Sequence, residues 1–489
     1  MTVPPIVAAT LPRHNLARGL ALTALLAVTG TWLWVCWCVF PGSAWNDLRL
    51  APAFALAQGE PLYPGKTASP INTWTYGPLP VISMLPATWA TSPSQALLIA
   101  GGLNLITSLG AIFFVCTFWP TPRDRQLPWE GRLLVGAFTI LLWPRATFQF
   151  LQADNLAVAL GLVGTLLLVN AKSEVPRWGA ALCTIATLAC KQTSCGLVLA
   201  QFVWLWLAVG KGEAMRHGVR CLVSGAVTAG LIVAGFGLDR IWFNLVFLPS
   251  RFPWVPNPLP RIMPMAPELA MQVLIPGALL VIFRKAVWCR ESPLLLPALA
   301  WLCTLPPGLA ALLKLGGTIN SIQSFQLWLT PTFLVMWAAM RIPRQTALIF
   351  AGSIVAALAI GGLRLSQKEA VQWYPAVEHY RQAAVLAQAF PEQIWFPCNP
   401  LITIFSDGRV YHDEDGLHMR QVSGMPPRLD YLNAYLPRHM CVIALPRNVY
   451  TWGIAEQLGP AQRKRDLFGS WVLYSWLPEV PVSPRQPIP

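Results

Sequence analysis

Long apolar stretches separated by short polar segments recur along most of this chain of 489 residues. The stretches hold almost no charge, and several are long enough to cross about 30 Å of hydrocarbon as a helix. The shorter ones must borrow flanking residues to cross, or are partly re-entrant. The candidate spans are residues 20–40, 96–118, 133–143, 156–169, 178–190, 195–209, 221–238, 269–283, 294–313, 325–340 and 346–363. The pattern predicts a polytopic α-helical membrane protein with about eleven transmembrane helices.

The composition supports the same class of protein. Hydrophobic residues make up 55% of the chain and charged residues only 11%, and the mean hydropathy is +0.50. The net charge of +14 would suggest nucleic acid in a soluble protein, but no nucleic-acid-binding motif accompanies it. Basic segments that face anionic lipid explain the charge. We therefore expect membrane lipid, and not nucleic acid, to contact these segments.

Basic residues alternate between crowded and sparse segments. If the N-terminus is cytoplasmic, the inner segments carry fifteen Lys and Arg residues, and the outer segments before the tail carry eight. This asymmetry predicts a cytoplasmic N-terminus, and an odd number of spans places the C-terminus outside. The first span is too long for the apolar core of a signal peptide, and no small-x-small cleavage site follows it. The short loops favour a bacterial inner membrane with a periplasmic exterior.

Two exterior segments are too long to be simple connections, at residues 41–95 and 364–489. The first belongs to a membrane domain over residues 1–363. The second combines a helical pattern with short strand-like runs, which predicts a small exterior α/β domain. The helical pattern covers residues 367–390, and the strand-like runs cover 393–412, 440–450 and 469–482.

Polar side chains of this tail raise two questions. Cys398 and Cys441 are its cysteines, and the sequence leaves open whether they form a disulfide in an oxidising compartment. The run YHDEDGLHMR at residues 411–420 matches neither a zinc nor a calcium motif. An acidic turn between two strands is the expected explanation of the run.

Polar motifs recur on the predicted exterior side of the membrane domain. Asp47 follows the first span by seven residues, and AFALAQGEPLY (53–63) and TYGPLP (75–80) come next. Later pieces are FQFLQADNLAVAL, LACKQTSCGLVL and GGTINSIQSFQ. In order and sidedness, these pieces resemble the GT-C membrane glycosyltransferases, and the resemblance covers about residues 20–363. GT-C enzymes take sugars from lipid-linked phosphates.

The resemblance implies a hexosyl- or pentosyltransferase of the cell envelope, similar to mannosyl- and aminoarabinosyltransferases. Its donor would be a polyprenyl-phosphate-linked sugar, its acceptor a glycan, lipid or protein hydroxyl, and its stereochemistry inverting. Such chemistry needs a base for the acceptor and cations for the phosphate. The matched pieces and the exterior cations give the expected substrate-binding residues: Tyr63, Tyr76, Arg145, Gln152, Asp154, Lys191, Gln192, Arg251, Arg261, Lys314 and Asn320.

Asp47 is the expected catalytic base, because burial near the membrane would raise its pKa to a useful value. The alternative is that Asp47 is the N-cap of an interfacial helix. Asp154 has the same alternative, as the N-cap of the fourth span. Asn46 stands where the family often has a second acid, so the sequence assigns no metal ligands. A divalent cation remains open, because Asp154 could complete a site across the cavity.

A different class of function is also open. A transporter or flippase of an amphipathic lipid-linked substrate would explain many apolar helices, but its usual marks are repeats and broken helices near the midplane. This chain places its polar residues at the exterior ends instead. A non-catalytic scaffold is a third alternative, and it predicts that Asp47 and Lys191 can be changed without consequence. Trp45 and Trp74 are the expected residues for stacking on a sugar.

Overall fold

The computed structural model describes residues 11–66, 69–72, 74–121, 127–339, 361, 367, 371, 374–447 and 463–475. These residues form a mainly helical bundle with one small sheet. The α-helices are α1 (Leu11–Cys38), α2 (Ala44–Ala57), α3 (Leu79–Ser83), α4 (Pro93–Phe118), α5 (Trp129–Leu142), α6 (Arg145–Gln149), α7 (Ala153–Val169), α8 (Glu174–Leu188), α9 (Gly196–Ala208), α10 (Lys211–Phe236), α11 (Leu238–Ile241), α12 (Leu248–Arg251), α13 (Leu259–Ile262), α14 (Ala266–Leu269), α15 (Ile275–Ile282), α16 (Arg284–Val287), α17 (Leu295–Leu312), α18 (Gln326–Ala339), α19 (374–389), α20 (Pro400–Asp407), α21 (Glu414–Val422) and α22 (Leu429–Ala434).

Shorter helical turns and four strands complete the fold. The 3₁₀ turns are Phe40–Gly42, Leu85–Trp89, Gln192–Cys195, Met263–Met265 and Ile319–Phe325, and the π-helical turns are Trp242–Phe247 and Ala270–Leu274. The strands are β1 (Ile394–Trp395), β2 (Val442–Pro446), β3 (Arg463–Leu467) and β4 (Trp471–Ser475).

Helices lie at ten of the eleven predicted spans. The eleventh, at residues 346–363, lies outside the described residues apart from residue 361. Among the described helices, α4, α10 and α17 are each long and apolar enough to cross a membrane. The number rises to five if two bent pairs each count as one span, namely Leu26–Gly42 with α2, bent by 73°, and Met263–Leu269 with Gln272–Ile282, bent by 41°. The chain is a polytopic helical membrane protein, and the number eleven stays a prediction.

Helix α4 shows how the bundle is built. Ser92 precedes it in extended conformation and accepts a hydrogen bond from the backbone N–H of Gln95 at 3.3 Å, as an N-cap does. Its buried face carries Asn104, whose Nδ2 donates to the carbonyl oxygen of Thr147 at 2.8 Å. Nδ2 of Asn155 in α7 donates to Oδ1 of Asn104 at 2.8 Å. These hydrogen bonds fix the position of α4 relative to α7, because a buried amide group without a hydrogen-bond partner would destabilise the fold.

Helix α2 belongs to the segment that the sequence predicts to be exterior. It bends by 73° from α1 and packs against α20, which follows strand β1 in the C-terminal tail. Ten of its fourteen residues are buried, from Asn46 to Ala55. The first exterior segment is therefore part of the core between the bundle and the tail.

The tail forms a four-stranded sheet in the order β1-β2-β4-β3. Strand β1 pairs with β2 in parallel, and β4 pairs antiparallel with both β2 and β3. The predicted helix is confirmed over residues 374–389, and each predicted strand-like run contains a strand. The predicted boundary between residues 363 and 364 lies outside the described residues.

One element of the tail differs from the prediction, and its two cysteines are not bonded to each other. The second half of the run at 393–412 contains helix α20, which begins at Pro400 and ends at Asp407, and Gly408 follows it in left-handed conformation (φ 66°). Proline at the first helical position and glycine just past the end are typical of a helix. The apolar residues between them were interpreted as part of a strand instead. Cys398 and Cys441 are both free thiols. Cys398 is buried, and the Cys441 thiol donates to the carbonyl oxygen of Gln393 at 3.5 Å.

Candidate functional site

A cavity of about 820 Å³ lies where the segment of residues 41–95, one end of the bundle and the tail meet. Its wall combines aromatic rings with uncharged polar groups. The described wall residues are Gly42, Ser43, Ala44, Trp45 and Leu48 of the first segment; Phe150, Gln152, Thr318, Ile319 and Asn320 of the bundle; and Pro375, Ala376, His379, Tyr380, Cys398, Asn399, Glu414, Pro446, Gly469, Ser470 and Trp471 of the tail. Three of the predicted residues, Trp45, Gln152 and Asn320, thus lie in one wall.

Asp47 lies in the first turn of α2 and is fully buried. Its Oδ1 accepts a hydrogen bond from the backbone N–H of Leu401 at 2.7 Å, and its Oδ2 accepts one from the Tyr380 hydroxyl. Ser43 occupies the N-cap position of α2, so the N-cap interpretation of Asp47 is wrong. Desolvation raises the pKa of Asp47 to about 7, against the opposing effect of the bonds from Tyr380 and Leu401.

Tyr380 separates Asp47 from the cavity. Among the described residues, Tyr380 contributes to the cavity wall, whereas the fully buried Asp47 does not. Burial and the neighbouring Asp47 raise the pKa of Tyr380, which keeps its hydroxyl protonated at neutral pH. The sequence alone did not identify Tyr380, because this residue lies 333 residues from Asp47 in the chain. Its helix was predicted only from the spacing of its polar residues.

Asp154, Lys191 and Asn320 form a second polar group. The Lys191 ammonium pairs with Oδ1 of Asp154, and Nδ2 of Asn320 donates to Oδ2 of Asp154 at 3.0 Å. All three side chains are buried. Gln152 occupies the N-cap position of α7, and Asp154 lies in the first turn, so the N-cap interpretation of Asp154 is also wrong. This ion pair connects the start of α7 to the turn that follows α8.

Two cations lie near the Tyr76 ring. The Lys191 ammonium lies 5.7 Å from the centroid of the Tyr76 ring, and the Arg49 guanidinium lies 5.2 Å from it. The Tyr63 hydroxyl donates to the Tyr76 carbonyl oxygen at 2.8 Å. The Gln192 side-chain amide donates to the Thr75 carbonyl oxygen at 3.0 Å. The predicted residues Tyr63, Tyr76, Lys191 and Gln192 are therefore in one contiguous group.

Arg49 connects this group to the tail. Its guanidinium lies 4.1 Å from the Trp45 ring centroid and 3.8 Å from Oδ2 of Asp415. Asp413 is the N-cap of α21, because its Oδ1 accepts a hydrogen bond from the backbone N–H of Gly416 at 2.6 Å. The acidic run thus begins a helix, and the expected turn between two strands was wrong. The sequence signal was Asp followed by two acids, which suits a helix N-terminus.

The remaining predicted residues have other surroundings. The Arg251 guanidinium lies 4.6 Å from the Phe247 ring centroid, and the Lys314 ammonium donates to the carbonyl oxygen of Pro249 at 3.0 Å. Trp74 is buried, and its indole N–H donates to the Gly77 carbonyl oxygen at 2.9 Å. Arg145 begins α6 and Arg261 belongs to α13, but their side chains lie outside what the structure describes.

A divalent cation finds no obvious site. Within the described ranges, no three His, Cys, Asp or Glu side chains converge in a way that could hold a metal ion. Asp154, the residue that could complete such a site, is engaged by Lys191 and Asn320. Asp47 is engaged by Tyr380 and Leu401. These two carboxylates do not fit a metal as they stand.

Gly77 gives a test of how the first exterior segment is attached. Its backbone N–H donates to the Cys190 carbonyl oxygen at 3.1 Å, beside Lys191, and a Cβ atom there would overlap the backbone of Ala189. Gly77→Ala should therefore lower the free energy of unfolding by about 3 kcal/mol, the upper range for overpacking. Thermal unfolding of the purified protein in detergent measures this.

Gly65→Ala is the matched control in the same segment. A Cβ atom at Gly65 meets nothing within 4 Å, so the unfolding temperature should stay close to that of the unmodified protein. Equal unfolding temperatures for the two variants would contradict the close contact between the segment and α8.

No protein-family model matches this sequence, and no curated protein matches it. Two crystal structures of ArnT from Cupriavidus metallidurans are similar in fold. The one bound to undecaprenyl phosphate gives a TM-score of 0.59 at 9% identity, and the apo one gives 0.57 at 10%. Each likeness covers 92% of this chain and 97% of the other. The similarity extends over bundle and tail together, and it shows that the chain shares the fold of these two ArnT structures.

Proposed function

We propose that this protein transfers a sugar from a polyprenyl-phosphate donor to an acceptor hydroxyl on the exterior face of a bacterial inner membrane, with inversion at the anomeric carbon. The donor would be a hexose or pentose. The N-terminus would be cytoplasmic and the tail periplasmic. One similar structure has undecaprenyl phosphate bound, which supports a donor of this type.

The observation that carries the proposal is the pair formed by Asp47 and Tyr380 beside the large cavity. A carboxylate whose pKa lies near 7 is suited to accept a proton at neutral pH. Its burial explains that pKa, and the Tyr380 hydroxyl gives it a route to the cavity. Such a group has no evident use in a scaffold or in a passive lipid path.

The proposed reaction can be written with these groups. The acceptor oxygen attacks the anomeric carbon, and the bond from that carbon to the phosphate oxygen breaks, which releases polyprenyl phosphate. The acceptor proton passes to the Tyr380 oxygen while the Tyr380 proton passes to Asp47. Lys191 and Arg49, which both lie near the Tyr76 ring, would stabilise the charge on the departing phosphate. Binding of the phosphate would then compete with Asp154 for Lys191.

The direct test is transfer of labelled sugar from a polyprenyl-phosphate pool in proteoliposomes. Glycosyl transfer predicts a labelled acceptor and free polyprenyl phosphate in equal amounts. Movement of the intact lipid across the bilayer without cleavage would instead establish a flippase. A protein that neither transfers nor moves the lipid would contradict both functions.

The pH dependence of transfer should report Asp47. Because the base works only when deprotonated, kcat/KM should rise tenfold per pH unit below about pH 7 and level off above it. The hydrogen bond from Tyr380 lowers the pKa of Asp47, so Tyr380→Phe should move the midpoint of the remaining activity to higher pH. Transfer itself should also fall, because phenylalanine cannot pass the acceptor proton to Asp47. A profile that is flat between pH 5 and pH 8 would exclude Asp47 as the base.

A further inference from the structure

The charge of the cavity wall is not explained by the predicted substrate-binding residues. Of its described residues, none is Lys or Arg, and Glu414 is the one carboxylic acid. Asp413 and Asp415 lie on either side of Glu414 in the chain, so the surroundings are unfavourable for a phosphate. Lys191, the cation proposed for the phosphate, belongs to the neighbouring group around Tyr76. This part of the cavity therefore suits a different portion of the substrate.

Glu414 is held at this wall by the backbone. Its N–H donates to the Pro397 carbonyl oxygen at 3.0 Å, and the N-cap residue Asp413 fixes the first turn of α21. Only 3% of the residue is exposed, and its Oε1 has no hydrogen-bond partner in the described part of the chain. A buried carboxyl oxygen without a partner is costly. A rotation about the broad terminal torsion of the side chain would present that oxygen to the cavity.

The protonation state of Glu414 fits an uncharged ligand. Desolvation, with the charges of Asp415 and Asp413 adding to it, raises the pKa of Glu414 to about 9. The carboxyl is therefore neutral at physiological pH and can both donate and accept a hydrogen bond. An alcohol hydroxyl has the same two capacities, so a single hydroxyl can satisfy the acid completely.

The neighbouring wall also suits a carbohydrate. The His379 ring nitrogen Nδ1 lies 2.7 Å from the Ser470 hydroxyl, and the Trp471 indole N–H donates to Oδ1 of Asn399 at 3.1 Å. All four line the cavity together with Trp45. Two indole rings beside uncharged donors and acceptors suit a sugar ring, whose edges are polar and whose faces carry C–H groups.

We infer that Glu414 binds a hydroxyl of a neutral sugar unit, which makes it a binding residue that the tail contributes to the cavity. The assignment of that unit to the acceptor rests on the proposed glycosyl transfer, in which the phosphate of the donor occupies the cationic side. The acceptor would accordingly be a carbohydrate-bearing molecule.

The test uses the full-length protein in detergent and methyl α-D-glucopyranoside as probe, with binding followed by saturation-transfer NMR. Wild type should bind this neutral sugar, and Glu414→Leu should weaken binding about tenfold or more, as expected for loss of a buried hydrogen bond. Glu414→Gln keeps a donor and an acceptor, so it should bind within about threefold of wild type. Glu378→Leu is the matched control, because that glutamate is exposed on α19 and pairs with Arg381.

A second measurement compares a charged sugar with the neutral sugar on the wild-type protein. It needs no variant, so it still tests the inference if Glu414→Leu does not fold. Glucuronate should bind wild type at least about tenfold more weakly than the neutral glycoside, since Glu414 is the one acid among the described wall residues and no Lys or Arg of that wall would offset a second carboxylate. Equal affinity for glucuronate, or unchanged binding by folded Glu414→Leu, would overturn the inference. If sugar transfer from the lipid-linked donor is observed but binding of the neutral glycoside does not depend on Glu414, the proposed function stands and this inference fails. If binding depends on Glu414 but no transfer occurs, the sugar site stands and the proposed function fails.

Discussion

Asp47→Asn is expected to reduce sugar transfer about 10²- to 10⁴-fold, the range for loss of general base catalysis. Asparagine has almost the same shape and cannot accept the acceptor's proton. Its amide oxygen can still accept the hydrogen bond from Leu401 N–H, and its NH₂ group can donate to the Tyr380 oxygen. The contact between α2 and the tail should therefore persist. The loss should appear in kcat, with donor binding intact.

Transfer of labelled sugar at equal protein concentration measures this effect, with thermal unfolding to establish that the variant is folded. Asp430→Asn is the control, because that carboxylate is exposed in the tail and lies 3.1 Å from Arg428. Asp430→Asn should transfer at the wild-type rate. Transfer by Asp47→Asn within about twofold of wild type, at every pH tested, would show that Asp47 only fastens α2 to the tail.

Local sequence could predict which residues lie near one another where the pattern of apolar spans places each residue at a known end of a helix. Asp154, Lys191 and Asn320 each stand at a turn that the sequence predicts to be exterior, and helices of similar length bring such turns to one level. Because charge is costly at membrane depth, polar residues at that level must find one another. Their association could therefore be predicted from spacing and sidedness, although the specific hydrogen bonds could not.

The contacts of Asp47 could not be predicted in this way. Its partners lie 333 and 354 residues later in the chain, so they depend on how the tail docks on the first exterior segment. Local periodicity gives no information on that docking. Glu414 was hidden by the same problem: its run looked like a solvated acidic turn, and only the packing of α21 buries it.

Strand β3 shows a different limit. Its sequence, Arg-Lys-Arg-Asp-Leu, lacks the apolar alternation that marks a strand, and it was not predicted. It lies at the edge of the sheet, where pairing with β4 on one side supplies its hydrogen bonds. Charged residues are common on edge strands, because they discourage pairing with other chains. The position in the sheet, and not the local propensity, accounts for this strand.

Lys191→Met is expected to have the second large effect, first on stability. The side chains of Lys191 and Asp154 are only 6% and 8% exposed, so removal of the cation leaves a buried carboxylate without its counter-charge. Breaking such a pair typically costs about 3–5 kcal/mol of unfolding free energy. Lys285→Met, which alters an exposed cation, is the control and should leave the unfolding temperature unchanged.

The double variant Lys191→Met with Asp154→Asn separates stability from function. It removes both charges, and the asparagine oxygen can still accept the hydrogen bond from Asn320. Most of the lost stability should therefore return, since the coupling between the two residues is of the same size as the single loss. Transfer should not return, because the phosphate would still lack its cation. A stable double variant that transfers sugar at the wild-type rate would show that Lys191 serves only Asp154, and the phosphate would then have to rely on Arg49 or another exterior cation.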